Sequence, residues 1–184
     1  MSPAAGTNAA PDASRLCRAC GMCCNGVLHR TAVVRQEEVE TLVQLGIDTE
    51  ERAGGLCFSL PCPQHVNACC AIYPHRPHTC VHYQCELLRR HLSGELDLEE
   101  ALACAERAHS LVEAIRRRLR EPDSTAAITD LWQKFEDRHP AGTSGAEADS
   151  PEEAELWLDV ATLSVYLNRN FLRPDSPHTA KGAR

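Results

Sequence analysis

Aromatic residues are scarce in this chain: three Phe, two Trp and three Tyr stand among 184 residues. Large rings and branched aliphatics usually supply most of a core's buried area, so hydrophobic burial alone would leave a thin stability margin. Something besides packing is expected to hold part of the fold. An excess of positive charge is missing too, since 19 Lys and Arg face 26 Asp and Glu, for a formal net charge of -7. That balance argues against a nucleic-acid partner, whose footprint would be basic. No apolar run approaches the roughly 20 residues of a membrane helix, because Glu or Arg interrupts the longest helical patterns every few positions. The stretch MSPAAGTNAAPDASR has no basic start followed by an apolar segment. Neither export nor a membrane partner is expected, and the expected compartment is the cytoplasm.

Cysteine, by contrast, is abundant. Ten of the eleven lie between Cys17 and Cys85, and Cys104 stands apart. In a reducing compartment thiols persist as metal ligands or redox groups more readily than as structural disulfides. Clustering and an odd total therefore point to metal binding before any motif is considered.

The length bounds the chain to one domain, or one with an appendage. Residues 1–14 are non-periodic and small, and are read as a disordered leader. Residues 15–92 form the cysteine-cluster region, opening with a turn-rich knot in which Gly21 and Gly26 let the backbone wrap closely. Thr31 to Val34 reads as a short extended piece. Val39, Leu42 and Val43 recur at helical spacing ahead of Gly46, which predicts a short helix over 36–45. From Gly54 to Cys85 four prolines and paired glycines exclude a long regular element.

Residues 93–173 read as a helical region packed on the cysteine region. Leu98, Leu102, Ala105, Ala108, Val112, Ile115 and Leu119 make one apolar stripe, opening at Asp97 with Glu100 three positions on. That pattern predicts a helix over 97–120. Ser150, Pro151 and Glu153 supply a cap, a first-turn proline and a capping-box acid ahead of Leu156, Val160, Leu163, Leu167 and Phe171. A second helix over 151–172 is expected, with Trp132 and Trp157 in the core. A short helix at Ile128 to Phe135, a linker from His139 to Asp149 and a disordered tail at 174–184 complete the layout. The expected class is mainly α: a small irregular metal-organised domain with packed C-terminal amphipathic helices and little sheet.

The string CRACGMCC is C-x-x-C-x-x-C-C, and each C-x-x-C brings two thiolates within the span of one metal or cluster edge. Cys57, Cys62, Cys69, Cys70, Cys80 and Cys85 supply enough further sulfur for one or two four-ligand sites. In extended backbone the neighbours Cys23-Cys24 and Cys69-Cys70 point to opposite sides. Either two centres lie back to back, or one thiol of each pair is spare. Cys104, inside a helix, reads as a small buried hydrophobe.

These motifs resemble the YkgJ-type CxxCxxCC cysteine-cluster family, a zinc- or iron-chelating domain. The second block reads CAIYPHRPHTCVHYQC, with Cys70, Ile72, Tyr73, Arg76, Pro77, Cys80, Tyr83 and Cys85 in the family's register. The resemblance implies eight metal ligands: Cys17, Cys20, Cys23, Cys24, Cys57, Cys70, Cys80 and Cys85. Cys62 and Cys69 lie outside the pattern, and either could exchange with a family position.

Spacing leaves both metals open. Closed four-thiolate zinc would add about 10 to 16 kcal/mol per ion to a thin core. An iron-sulfur cluster also takes four thiolates, although the ferredoxin continuation after Cys23 is absent. The preference falls on an iron-sulfur cluster or iron, with zinc as the alternative. Arg76 reads as a counter-charge beside anionic thiolates, ahead of a grip on a substrate carboxylate or phosphate. His65, His75, His78, His82 and His91 are read as solvated, and a zinc finger from Cys57, Cys62, His78 and His82 has too long an interval. The arginines at 116–118 and Arg120 suit a helix C-terminus. No nucleotide-binding, zinc-protease or serine-hydrolase motif is present.

Metal binding, with a redox role, is thus the first functional expectation. An iron-dependent oxidoreductase or protein-modifying enzyme is the second, since a flagellin lysine methylase carries a similar motif in a much longer chain. The third is an adaptor in which zinc staples the fold and the C-terminal helices meet a protein partner.

Overall fold

The computed structural model of the chain describes residues 9–67, 69–119 and 150–172. The expected short helix at Ile128 to Phe135, Trp132, the linker at His139 to Asp149 and the tail lie outside these residues. Along the chain come α1 (Ala9–Cys20), β1 (Thr31–Val33), a 3-10 turn (Gln36–Glu38), α2 (Val39–Gln44), β2 (Glu50–Arg52) and β3 (Gly55–Ser59). They are followed by β4 (His65–Val66), β5 (Cys69–Cys70), a second 3-10 turn (Tyr73–His75), α3 (His78–His82), α4 (Glu86–Leu92), α5 (Leu98–Leu119) and α6 (Pro151–Asn170). The mainly α class with little sheet is what the structure has.

The two long helices begin where their capping chemistry directs. Asp97 Oδ1 accepts the Glu100 N–H at 2.8 Å while Glu100 Oε2 accepts the Asp97 N–H at 2.9 Å, a reciprocal box that satisfies two otherwise orphaned donors. Ser150 Oγ accepts the Glu153 N–H at 3.1 Å, and Pro151 follows in the first turn. Ala101, Ala105 and Ala108 give α5 a buried face of small residues, against which α1 packs through Leu16 and Cys20. Val160, Leu163 and Leu167 of α6 close the other side, with Phe171 fully buried beyond the helix end. Glu86 N–H donates to Phe171 O at 2.9 Å, tying the start of α4 to the end of α6.

One expectation needs correction here. The stretch read as a leader contributes its residues from Ala9 onward to α1, which runs to Cys20, so Cys17 and Cys20 sit on a helix and not in a loop knot. Amphipathicity explains this: Leu16 and Cys20, one helical turn apart, face the alanine surface of α5. Trp157, expected in the core, is half-buried.

A smaller unit faces this bundle. β3 is the middle strand of an antiparallel sheet ordered β1-β3-β2, with Ala32 opposite Phe58 and Glu50 opposite Cys57. The β4–β5 ladder pairs His65 with Cys70 and Val66 with Cys69. Ala32, Val34, Leu42, Ile47, Phe58 and Ile72 form its apolar cluster, separate from the seventeen buried residues of the helical one among the described residues. No described helix is long and apolar enough to cross a membrane.

Candidate metal centre

The first cysteine string is shaped by one glycine. Gly21 takes φ +59°, left-handed backbone that ends α1, and its N–H donates to Cys17 O at 3.0 Å. Cys24 and Asn25 N–H groups then both donate to Gly21 O, at 2.9 and 3.0 Å, curling the chain back. The ring of His65 lies on this turn, with Nε2 only 2.8 Å from where a Cβ on Gly21 would stand. Glycine is therefore required there twice, by backbone conformation and by the imidazole above it. Met22, fully buried, anchors the turn in the helical core.

Cys85 is the N-cap of α4. Nearby backbone N–H groups draw down the thiols of Cys20, Cys62 and Cys85 against the burial that raises them. The Cys62 N–H donates to Cys24 O at 2.8 Å, and the Cys62 carbonyl accepts the His65 N–H at 2.9 Å. Cys80 sits mid-way along α3, whose first N–H, of His78, donates to Glu38 Oε1 at 2.6 Å.

Six of these thiols, Cys17, Cys23, Cys24, Cys62, Cys70 and Cys80, line one cavity of about 300 Å³ between the two apolar clusters. Burial dominates their electrostatics. It pushes Cys17 and Cys24 up to about 11 and Cys80 up to about 12. Enclosed Cys23 stands well above the ordinary thiol value for the same reason, with repulsion from Cys85, Cys20, Cys24 and Cys17 added. Cys20, behind the cavity wall, reaches about 12, again chiefly through desolvation.

Arg76 and Arg18 both line this wall. Arg76 is the more tightly fixed. Its guanidinium lies 3.6 Å from the Tyr73 ring centroid, and its Nε–H donates to Tyr73 O at 2.9 Å. So held, it draws down the thiols of Cys17, Cys24 and Cys80 against the burial that raises them. Arg18, on the last turn of α1, faces the same ring at 5.9 Å.

Of the eight cysteines implied by resemblance, five line the cavity and two, Cys20 and Cys85, are buried beside Cys17 and Cys23. Cys57 is the departure: it is buried on β3 but is not among the cavity residues, whereas its neighbour Phe58 is. Strand alternation puts adjacent side chains on opposite faces, so only one of the two can reach the space. Cys62 occupies the wall instead. Cys69 is exposed. His78 and His82 stack on one another with ring centroids 3.9 Å apart, outside the cavity lining, so the zinc-finger arrangement does not form. His65, read as solvated, instead has a buried Nε2 with no hydrogen-bond partner among the described residues.

Among the described residues, no three Cys, His, Asp or Glu side chains are arranged as a finished ion cage. The donor set still fits a cation: soft sulfurs, raised by burial and by one another, aided by backbone N–H groups and one fixed arginine. A cation and N–H donors beside a sulfur favour the thiolate, which is the form that ligates a metal.

Residues 16–109, just over half of the chain, match the family CxxCxxCC, described as "Putative zinc- or iron-chelating domain". No curated protein and no solved structure matches.

Proposed function

Because the chain belongs to the CxxCxxCC family of zinc- or iron-chelating domains, we propose that it is a metal-binding protein whose cysteines hold iron for a redox role. The observation that carries this reading is the cavity of about 300 Å³ walled by six cysteines. A lone tetrahedral zinc draws four sulfurs to about 2.3 Å and closes the space around itself. Thiols set around a volume suit an iron-sulfur cluster, whose own sulfides occupy the middle. Such a cluster supplies one-electron transfer. The chain's part is to offset the burial of Cys17, Cys24 and Cys80 with the charge of Arg76 and to keep water away with Ile72, Phe58 and Tyr73. Eleven free cysteines suit a reducing compartment, in keeping with a cytoplasmic location.

A second reading has one observation in its favour. Leu158 and Val165 on α6 are 67% and 68% exposed, an apolar surface that an adaptor stapled by zinc would present to a protein partner. Metal and acid-labile sulfide content, with a visible spectrum, on protein purified without oxygen separates the two. Brown protein with iron and sulfide supports the redox reading. Colourless protein with stoichiometric zinc overturns it in favour of the adaptor.

A further inference from the structure

The cysteines do not share one neighbourhood. Cys20 and Cys85 are buried members of the helical core, and Cys17 and Cys23 pack against that core. Cys62, Cys70 and Cys80 pack against the other cluster, around Phe58 and Ile72. Cys24 belongs with the latter three, since its carbonyl accepts the Cys62 N–H at 2.8 Å. The boundary thus falls at the Cys23–Cys24 peptide bond.

We propose that the chain holds two separate four-thiolate centres back to back, one formed by Cys17, Cys20, Cys23 and Cys85 in the helical core and the other by Cys24, Cys62, Cys70 and Cys80 against the sheet. This rests on the metal-binding reading and adds the number of sites, their membership and the replacement of Cys57 by Cys62. Four cysteines per centre satisfy either tetrahedral zinc or a cluster, so the split does not depend on the metal. Cys57 has no place in it: Phe58 faces the cavity, and the alternation of β3 turns Cys57 to the other side. Arg76 lines the same cavity as Cys17 of one centre and Cys24 and Cys80 of the other.

The test counts metal per full-length chain by native mass spectrometry after a chelator challenge, with folding followed by circular dichroism. Wild type that never holds metal, whether as purified or after loading with zinc(II) or with ferrous iron and sulfide, ends the metal-binding reading and the split with it. Given metal in the wild type, Cys57→Ala should keep all of it, Cys62→Ser should lose half, and Cys20→Ser should lose the other half. The double variant Cys20→Ser with Cys62→Ser should lose everything. If Cys20→Ser does not fold, Cys17→Ser, at the cavity wall, takes its place. Loss of metal from Cys57→Ala, full retention by Cys62→Ser, or a folded single variant stripped of all metal would overturn the split while leaving metal binding intact.

Discussion

The helical half and the sheet half are held together by different means. α1, α4, α5 and α6 surround seventeen buried residues, with capped helix ends and the Arg118 side chain reaching from α5 to Glu155 and Asp159 of α6. The sheet half has six buried residues and strands of two to five residues. Short strands with so little apolar area are marginal by themselves. The difference teaches that buried apolar side chains are not shared evenly between the halves. The smaller share lies where Cys62, Cys70 and Cys80 adjoin the small cluster, and there a metal would take the place of core.

Removing the metal should therefore break the halves apart most strongly. Binding at structural thiolate sites contributes about 10 to 16 kcal/mol per zinc, more than a cluster of six side chains can replace. After chelation, hydrogen exchange followed by mass spectrometry should show β1 and β3 losing protection while α5 and α6 keep theirs. Equal loss in both halves would remove the distinction.

Core truncation sharpens the same contrast. Phe58 is the largest member of the small cluster and Phe171 belongs to the large one; both are fully buried. Each change to Ala should cost about 3 to 5 kcal/mol. In Phe171→Ala that loss should shift the urea midpoint of a still cooperative transition. Phe58→Ala should instead loosen the sheet half even in metal-loaded protein, seen as the disappearance of its methyl resonances from the dispersed region of the NMR spectrum while those of α5 and α6 remain.

A smaller effect is expected at the joint between the halves. Gly21→Ala forces an L-residue into left-handed backbone, about 1 to 2 kcal/mol, and drives its Cβ onto His65 Nε2. Thermal unfolding should shift down accordingly, and the metal should leave faster in a chelator challenge. An unchanged release rate would mean that the His65 contact does not support the first cysteine turn.

The smallest effect lies wholly in the helical half. Tyr166 OH donates to Cys104 O at 3.1 Å, and burial, then the nearby Cys104 thiol, raises the phenol from an ordinary 10 to about 12. In the unfolded chain the phenol ionises first. Its contribution to stability is thus fully present below about pH 10 and is lost as pH rises through about 12. Tyr166→Phe should cost about 1 kcal/mol at neutral pH and flatten the decline in urea midpoint between about pH 10 and about pH 12. A decline as steep as in the wild type would assign it to other groups.

Much of the helical half was legible because its signals are local. The Asp97 to Glu100 box and the Ser150-Pro151 cap mark helix starts within one turn, and the stripes at 98–119 and 156–171 repeat with the helical period. α1 was missed because its first residues resemble a polar leader. Its amphipathic face becomes apparent only when Leu16 and Cys20 meet the alanines of α5. In the cysteine region, the strings and the Tyr73 to Cys85 block located the chemistry. Cys57 and Cys62, with four residues between them, look equivalent as letters, and only the folded chain tells them apart: the face of β3 that carries Cys57 is turned from the cavity, while Cys62, beyond the strand, lines it.

The sequence by itself determined that thiols outnumber what a small aromatic-poor core can explain, that they fall in strings with ligand spacing, and that two capped helices follow. Those features depend on neighbours within a turn or two of chain. The tertiary structure decided which thiols share a wall, that Cys62 stands there while Cys57 does not, and that Arg76 and His65 adjoin the cysteines. These depend on which faces of distant segments pack together, and a four-residue spacing in the chain carries no record of that.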